Sequence, residues 1–182
     1  MLIIISMKNK LQLLDRCECL TLLTTRASSF WSRINFILNF PLVITSSAMC
    51  IINSISDDGN QVKIPNIVVN AISVLMMSII NNIKAGEKYD NFKRLSQLFL
   101  ELAQEIDGID GDEIDIDKYN MLVLKYDNLI RTCDFEHIPN NIKTEVSMVF
   151  QNNNKYIPIQ LNGVMGGFKR NSRPVEMSSE IV

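Results

Sequence analysis

The sequence predicts an all-α integral membrane protein, a two-span helical hairpin with a cytoplasmic helical bundle, and three observations carry that expectation. Two apolar runs, Ile34–Ile55 and Ile64–Ile83, contain no Asp, Glu, Lys, Arg or His. Only eight residues separate them, so the two runs must lie antiparallel. The rest of the chain is polar enough for water but keeps apolar residues at helical spacing. Roughly 20 apolar residues, rising ~1.5 Å each, cross a hydrocarbon core ~30 Å thick, and both runs meet that length.

The chain begins MLIIISMKNK, where the apolar stretch Leu2–Ile5 is short and its lysines follow it. A secretory signal places its basic residues first and has a longer apolar core, so no cleavable signal is expected. Leu2–Ile5 reads as an unstructured leader or a shallow membrane contact. From Lys8 to Arg33, Leu13, Cys17, Leu20, Ala27, Trp31 and Ile34 follow helical spacing, and nothing interrupts the pattern before the first run. One long helix therefore enters the first span, with Pro41 as its point of kinking. The connector offers Asp57-Asp58-Gly59-Asn60 as turn chemistry, and Pro65 suits the first turn of the second span.

Beyond the second span, Ala85, Phe92, Leu95, Phe99, Leu102 and Ile106 form a heptad-like seam that Lys88 breaks once. This predicts a helix continuing straight out of the span to pair with the N-terminal helix or a neighbouring subunit. The acidic stretch EIDGIDGDEIDID lacks the glycine placement of a calcium loop and reads as a helix break followed by an acidic helix start. Ile116, Tyr119, Val123, Tyr126, Ile130 and Cys133 predict an amphipathic helix over 116–133. A shorter helix is expected near Ile142–Phe150, ended by Asn152-Asn153-Asn154, and YIPIQLNGVMGGF reads as extended or loop. The expected domains are 1–106 (N-terminal helix, hairpin and post-span helix), 107–168 (cytoplasmic helical extension) and 169–182 (disordered tail).

Lys and Arg near span ends mark the cytoplasmic side. Arg16, Arg26 and Arg33 precede the first span, Lys84, Lys88, Lys93 and Arg94 follow the second, and the connector holds only Lys63 beside Asp57 and Asp58. Both termini are therefore expected in the cytoplasm. Trp31 and Tyr89 are candidate interfacial anchors there, with packing inside a helical bundle as the alternative for Trp31.

Composition removes several function classes. A net charge of −2 gives no electrostatic footprint for nucleic acid. Cys17, Cys19, Cys50 and Cys133 form no ligand pattern with the single His137, so free thiols and no metal are expected. No phosphate-binding, zinc-protease or dinucleotide motif is present, so no cofactor and no catalytic residue is assigned, and an enzyme is not expected.

What remains is a polar pattern inside the spans. Asn35, Asn39, Ser46 and Asn53, with Cys50, recur near helical repeats in the first span, and Asn66, Asn70, Ser73 and Asn81 do so in the second. Amides facing lipid would cost several kcal/mol, so these stripes should face protein or water. Packing between helices and lining of a hydrated path both satisfy that requirement. Two helices enclose no pore, so the second use requires a homo-oligomer in the lipid bilayer.

The layout of N-terminal helix, two spans, short turn and long amphipathic helix resembles the SLATT family of two-transmembrane effector domains over about Leu11–Ile106. Its carriers are Trp31 ahead of the first span, Asn39-Phe40-Pro41 within it and Gly86-Glu87-Lys88-Tyr89 leaving the second. The stretch Tyr156-Ile157-Pro158-Ile159-Gln160-Leu161-Asn162-Gly163 is similar to short stand-alone versions from large DNA viruses. The resemblance implies a pore-forming or membrane-disrupting effector without catalytic residues. This chain departs from the family's usual context in carrying no fused sensor domain. The alternative is a structural anchor, such as a viral membrane or assembly protein whose cytoplasmic helices bind a protein partner.

Overall fold

The computed structural model describes residues 2–55, 59–109 and 115–162. Among these residues it is all-helical. Its main elements are α1 (Leu2–Ile55), α2 (Gly59–Ile83), α3 (Ala85–Asp107), α4 (Ile116–Thr132) and α5 (Asn140–Asn152), with a 3-10 turn at Phe135–His137 and one final turn, α6 (Ile159–Asn162). Two compact units divide the chain, one formed by Met1–Leu23 with Leu95–Val182 and the other by Thr24–Arg94. The division between the two units falls within α1 and α3.

In the Thr24–Arg94 unit the apolar runs are helical and form an antiparallel pair. Contacts near both ends of the pair fix its register. The Asn66 amide donates to Asn53 Oδ1 at 3.1 Å. At the other end, a methyl group placed on Gly86 would lie 3.7 Å from Asn35 Oδ1. Both helices are long and apolar enough to cross a membrane, and none of the most apolar stretch of either is buried within the chain. Phe36, Ile37, Val43, Ile64, Val74 and Leu75 are each more than three-fifths exposed. Ordinary soluble folds bury such side chains; contiguous apolar surface marks a lipid or partner face.

The other unit has a conventional core. Leu13, Cys17, Leu20 and Leu23 of α1 are buried in it, as are Leu95, Phe99, Leu102 and Ile106 of α3, Leu122 and Tyr126 of α4, and Val146 and Phe150 of α5. Polar ties hold its surface. Lys125 bonds both carboxylate oxygens of Glu105, at 2.7 and 2.8 Å. Lys10 Nζ donates to the Ile109 carbonyl at 2.7 Å. The segment after α5 returns to α1, where Lys155 pairs with Glu18 and the Tyr156 N–H donates to Asp15 Oδ2 at 3.0 Å.

Several local expectations are corrected. Helix α1 begins at Leu2, so the leader is helical rather than unstructured. The expected single long helix does run through Pro41, which lies inside α1 without ending it. Its missing N–H leaves the Ile37 carbonyl without the usual helical donor. Helix α2 starts at Gly59, which puts Pro65 in its second turn instead of its first and makes Gly59 and Asn60 helical. The second span does not continue straight into α3. Lys84 adopts φ 52° between them, while Lys84 N–H still donates to Ile80 O and Lys88 N–H to Lys84 O. Ile116 is 74% exposed rather than on the buried face of α4, where Leu122 takes the core position. Its place in the first turn, just after the acidic break, leaves it beyond the packed part of the helix. The Ile159–Asn162 turn replaces part of the expected loop, supported by Pro158 and Leu161, which are buried. Ser56–Asp58, the centre of the acidic break and the tail from Gly163 lie outside the described residues.

Candidate functional site

The candidate site is built on the hairpin of the Thr24–Arg94 unit. Asn35, Leu38, Leu42, Thr45 and Met49 of α1 are half-buried, as are Asn66, Val69, Ser73, Met76 and Ile80 of α2. Steps of three and four residues make these the facing seam of the pair. The predicted polar stripes do not coincide with that seam. They run along its edge.

Asn35, Asn39, Asn66 and Ser73 lie at or close to the seam and are half-buried, whereas Ser46, Asn53, Asn70 and Asn81 are exposed. Cys50, on the same stripe, is an exposed free thiol. At about 100° per residue, both stripes are rotated the same way from their seams, by roughly a sixth to a quarter of a turn. Because the helices are antiparallel, equal rotations bring both stripes to the same side of the hairpin. One flank is therefore amide-bearing and the other is apolar.

Depth within the hairpin follows from the two pinning contacts. They set a register in which facing residue numbers add to about 120, which places Asn39 level with Asn81 and Cys50 level with Asn70. The polar flank thus has two amide layers, one near each end. Asn39 and Cys50 are eleven positions apart, about 16 Å at helical rise.

Hydroxyls and amides behave differently here. Thr45 Oγ1 donates to Pro41 O at 2.9 Å, Ser47 Oγ to Val43 O at 2.8 Å and Ser54 Oγ to Cys50 O at 2.7 Å. Each hydroxyl closes on its own helix and asks little of its surroundings. An amide carries two N–H donors and a two-lone-pair oxygen, which one local bond cannot satisfy. Asn39 donates to the Asn35 carbonyl and to Asn35 Oδ1, at 2.8 and 2.9 Å. Asn53 and Asn66 bond each other across the pair. Among the described residues, the Asn70 and Asn81 side chains have no hydrogen-bonding partner.

Trp31 is only 9% exposed and Tyr89 is half-buried. The Lys88 ammonium stands 4.4 Å from the Trp31 ring centroid, and Lys93 stands 5.5 Å from that of Tyr89. The lysine that breaks the α3 seam is therefore accommodated by an aromatic face. Sequence spacing marks Lys88 as an exception without revealing the ring that receives it.

Outside the hairpin, burial pushes the Cys17, Cys19 and Cys133 thiols up to about 12. Thiols held protonated are poor nucleophiles and poor metal ligands. Burial likewise raises Tyr126 above the ordinary phenol range. Among the described residues, no three His, Cys, Asp or Glu side chains gather into a group able to hold a metal ion. No protein-family model, curated protein or solved structure matches this chain.

Proposed function

We propose that this chain is a membrane-embedded effector whose hairpins assemble to form a channel or otherwise permeabilise the bilayer, with both termini cytoplasmic. The observation that carries the reading is the amide-bearing flank on a hairpin whose remaining exposed surface is mostly apolar. Lipid suits the apolar surface but penalises unsatisfied amides by several kcal/mol each. Hydration of that flank in an assembly relieves the penalty and supplies a conductive path. Asn35, Asn39, Ser46, Asn53, Asn66, Asn70, Ser73 and Asn81 are the proposed lining, with Asn70 and Asn81 the most outward amides.

The test is single-channel conductance of purified protein in planar bilayers, comparing wild type with Asn39→Leu/Asn70→Leu. The reading expects discrete currents that the double variant loses while still inserting. Unchanged currents would remove this stripe from the path.

A structural anchor is the second reading, favoured by exposed Met121 and Leu124 on α4, which offer apolar contact to a cytoplasmic protein. It expects a fixed stoichiometry with that protein and no ion flux from correctly inserted chain.

A further inference from the structure

The amide layers identify which surface of the hairpin meets another copy. We infer that the chain self-associates through its polar flank, so that the Cys50/Asn70 layer of one hairpin faces the same layer of a second copy across a common axis. The inference rests on the membrane reading above and deepens it by naming the face and its occupant.

Three features select a second copy. First, the flank is exposed at Ser46, Cys50, Asn70 and Asn81, while the Ser47 and Ser54 hydroxyls elsewhere on the hairpin close on their own helix. The amides are thus the groups that still require partners at hydrocarbon depth. Second, asparagine is donor and acceptor at once, so an amide surface is complementary to itself. A charged or purely apolar partner would leave half of that capacity unused. Third, copies inserted with the same topology are related by an axis along the membrane normal, which keeps every residue at its own depth. Asn70 of one copy then meets Asn70 or Cys50 of the next, and the Asn39/Asn81 layers likewise face each other. The opposite flank, carrying Ile44, Ala48, Ile72 and Ile79, has no such requirement and faces lipid.

The chain contains its own probe. Cys50 lies on the flank and is exposed, whereas Cys17, Cys19 and Cys133 are buried. Full-length protein in phosphatidylcholine/phosphatidylglycerol vesicles would be oxidised with copper–phenanthroline and resolved without reductant. A disulfide-linked dimer is expected from wild type. The band should be lost in Cys50→Ser, return in Cys50→Ser/Ser46→Cys on the same flank, and stay absent in Cys50→Ser/Ala48→Cys. Ala48 lies at nearly the same depth but on the other flank, so it controls for random collision.

Equal cross-linking through Ala48→Cys, or none through Cys50 or Ser46→Cys, would overturn the assignment of this face. Alkaline carbonate extraction of the same vesicles separates the two levels of failure. Protein that resists extraction but does not cross-link loses the interface and keeps the membrane reading. Protein released by carbonate loses both.

Discussion

Lys84 has a backbone angle that costs an ordinary side chain roughly 1–2 kcal/mol, with φ 52° at the junction of α2 and α3. Glycine stands two positions later, at Gly86, so the bend does not use the residue best suited to it. Lys84→Gly and Lys84→Asn should therefore melt at or above the wild-type temperature in detergent. Lys84→Val, whose branched side chain tolerates this region worst, should lose more than ~1 kcal/mol. Equal melting of the three variants would mean that the left-handed angle is not held in solution. Nearby, Lys88 over Trp31 should show a coupling of about 0.5–2 kcal/mol in a double-mutant cycle with Lys88→Met and Trp31→Leu. Additive losses would reduce that contact to plain packing. The buried thiols make a pH prediction. Cys17, Cys19 and Cys133 are raised from an ordinary value of 9.0 to about 12, so the unfolded chain releases these protons first. Their contribution is complete below pH 9 and is lost as pH rises toward 12, with a slope near 1.4 kcal/mol per thiol per pH unit. Chemical-denaturation midpoints measured between pH 8 and 11 should fall in wild type and fall less steeply in Cys17→Ala. Parallel slopes would show that Cys17 ionises equally in both states.

Among the helical elements, the segment after α5 is tied to α1 by contacts of unequal worth, with Asp15 both accepting a backbone N–H and standing 4.0 Å from the Lys155 ammonium. Asp15 accepts the Tyr156 N–H and its side chain is mostly buried, whereas the Lys155–Glu18 pair is about two-fifths exposed on both sides. The hydrogen bond to Glu18, more than the opposing cost of burial, raises the Lys155 pKa, but water and salt screen an exposed pair. Asp15→Ala should therefore speed amide exchange at Tyr156 and across Ile159–Asn162 far more than Glu18→Gln does. Equal acceleration by the two would mean that the ion pair, not the backbone bond, fastens the segment. Much at this scale was legible in the sequence. The seam from Ala85 to Ile106 is buried at every apolar position named from its spacing, and α4 and α5 begin and end within two residues of their signals. Of the misses, the exposure of Ile116 depends on where the packed part of α4 begins, which apolar spacing alone does not contain. The candidate site divides in the same way. Asparagine spacing reveals a stripe on each helix, but separating its seam-facing half from its outward half required the antiparallel register. That register is fixed by contacts such as Asn53 to Asn66, thirteen residues apart.

For the whole molecule, the charge distribution sets the orientation of the hairpin in the proposed membrane. Arg26 and Arg33 lie ahead of the first apolar run, and Lys84, Lys88, Lys93 and Arg94 follow the second, against Lys63 alone between them. Basic residues within about 15–20 positions of a span resist translocation, whereas acidic residues contribute little, so Asp57 and Asp58 hardly affect the balance. Translocating the connector carries one basic residue across, and translocating the two flanks would carry these six and Arg16, 18 positions before the first run. The connector should therefore face outward, whatever the assembly does afterwards. An Asn60→Cys variant in a Cys50→Ser background would report this directly, because its remaining thiols are buried. In intact cells a membrane-impermeant maleimide should label Asn60→Cys, while tags at the N- and C-termini resist external protease until lysis. Labelling only after lysis, with both tags digested outside, would invert the hairpin and show that basic flanks do not govern its insertion. Labelling only after lysis with the tags also protected would place the whole chain on the cytoplasmic side. The exposed apolar surface of α1 and α2 would then have to be covered by protein rather than lipid, and the amide flank would lose the hydrocarbon that makes its pairing necessary.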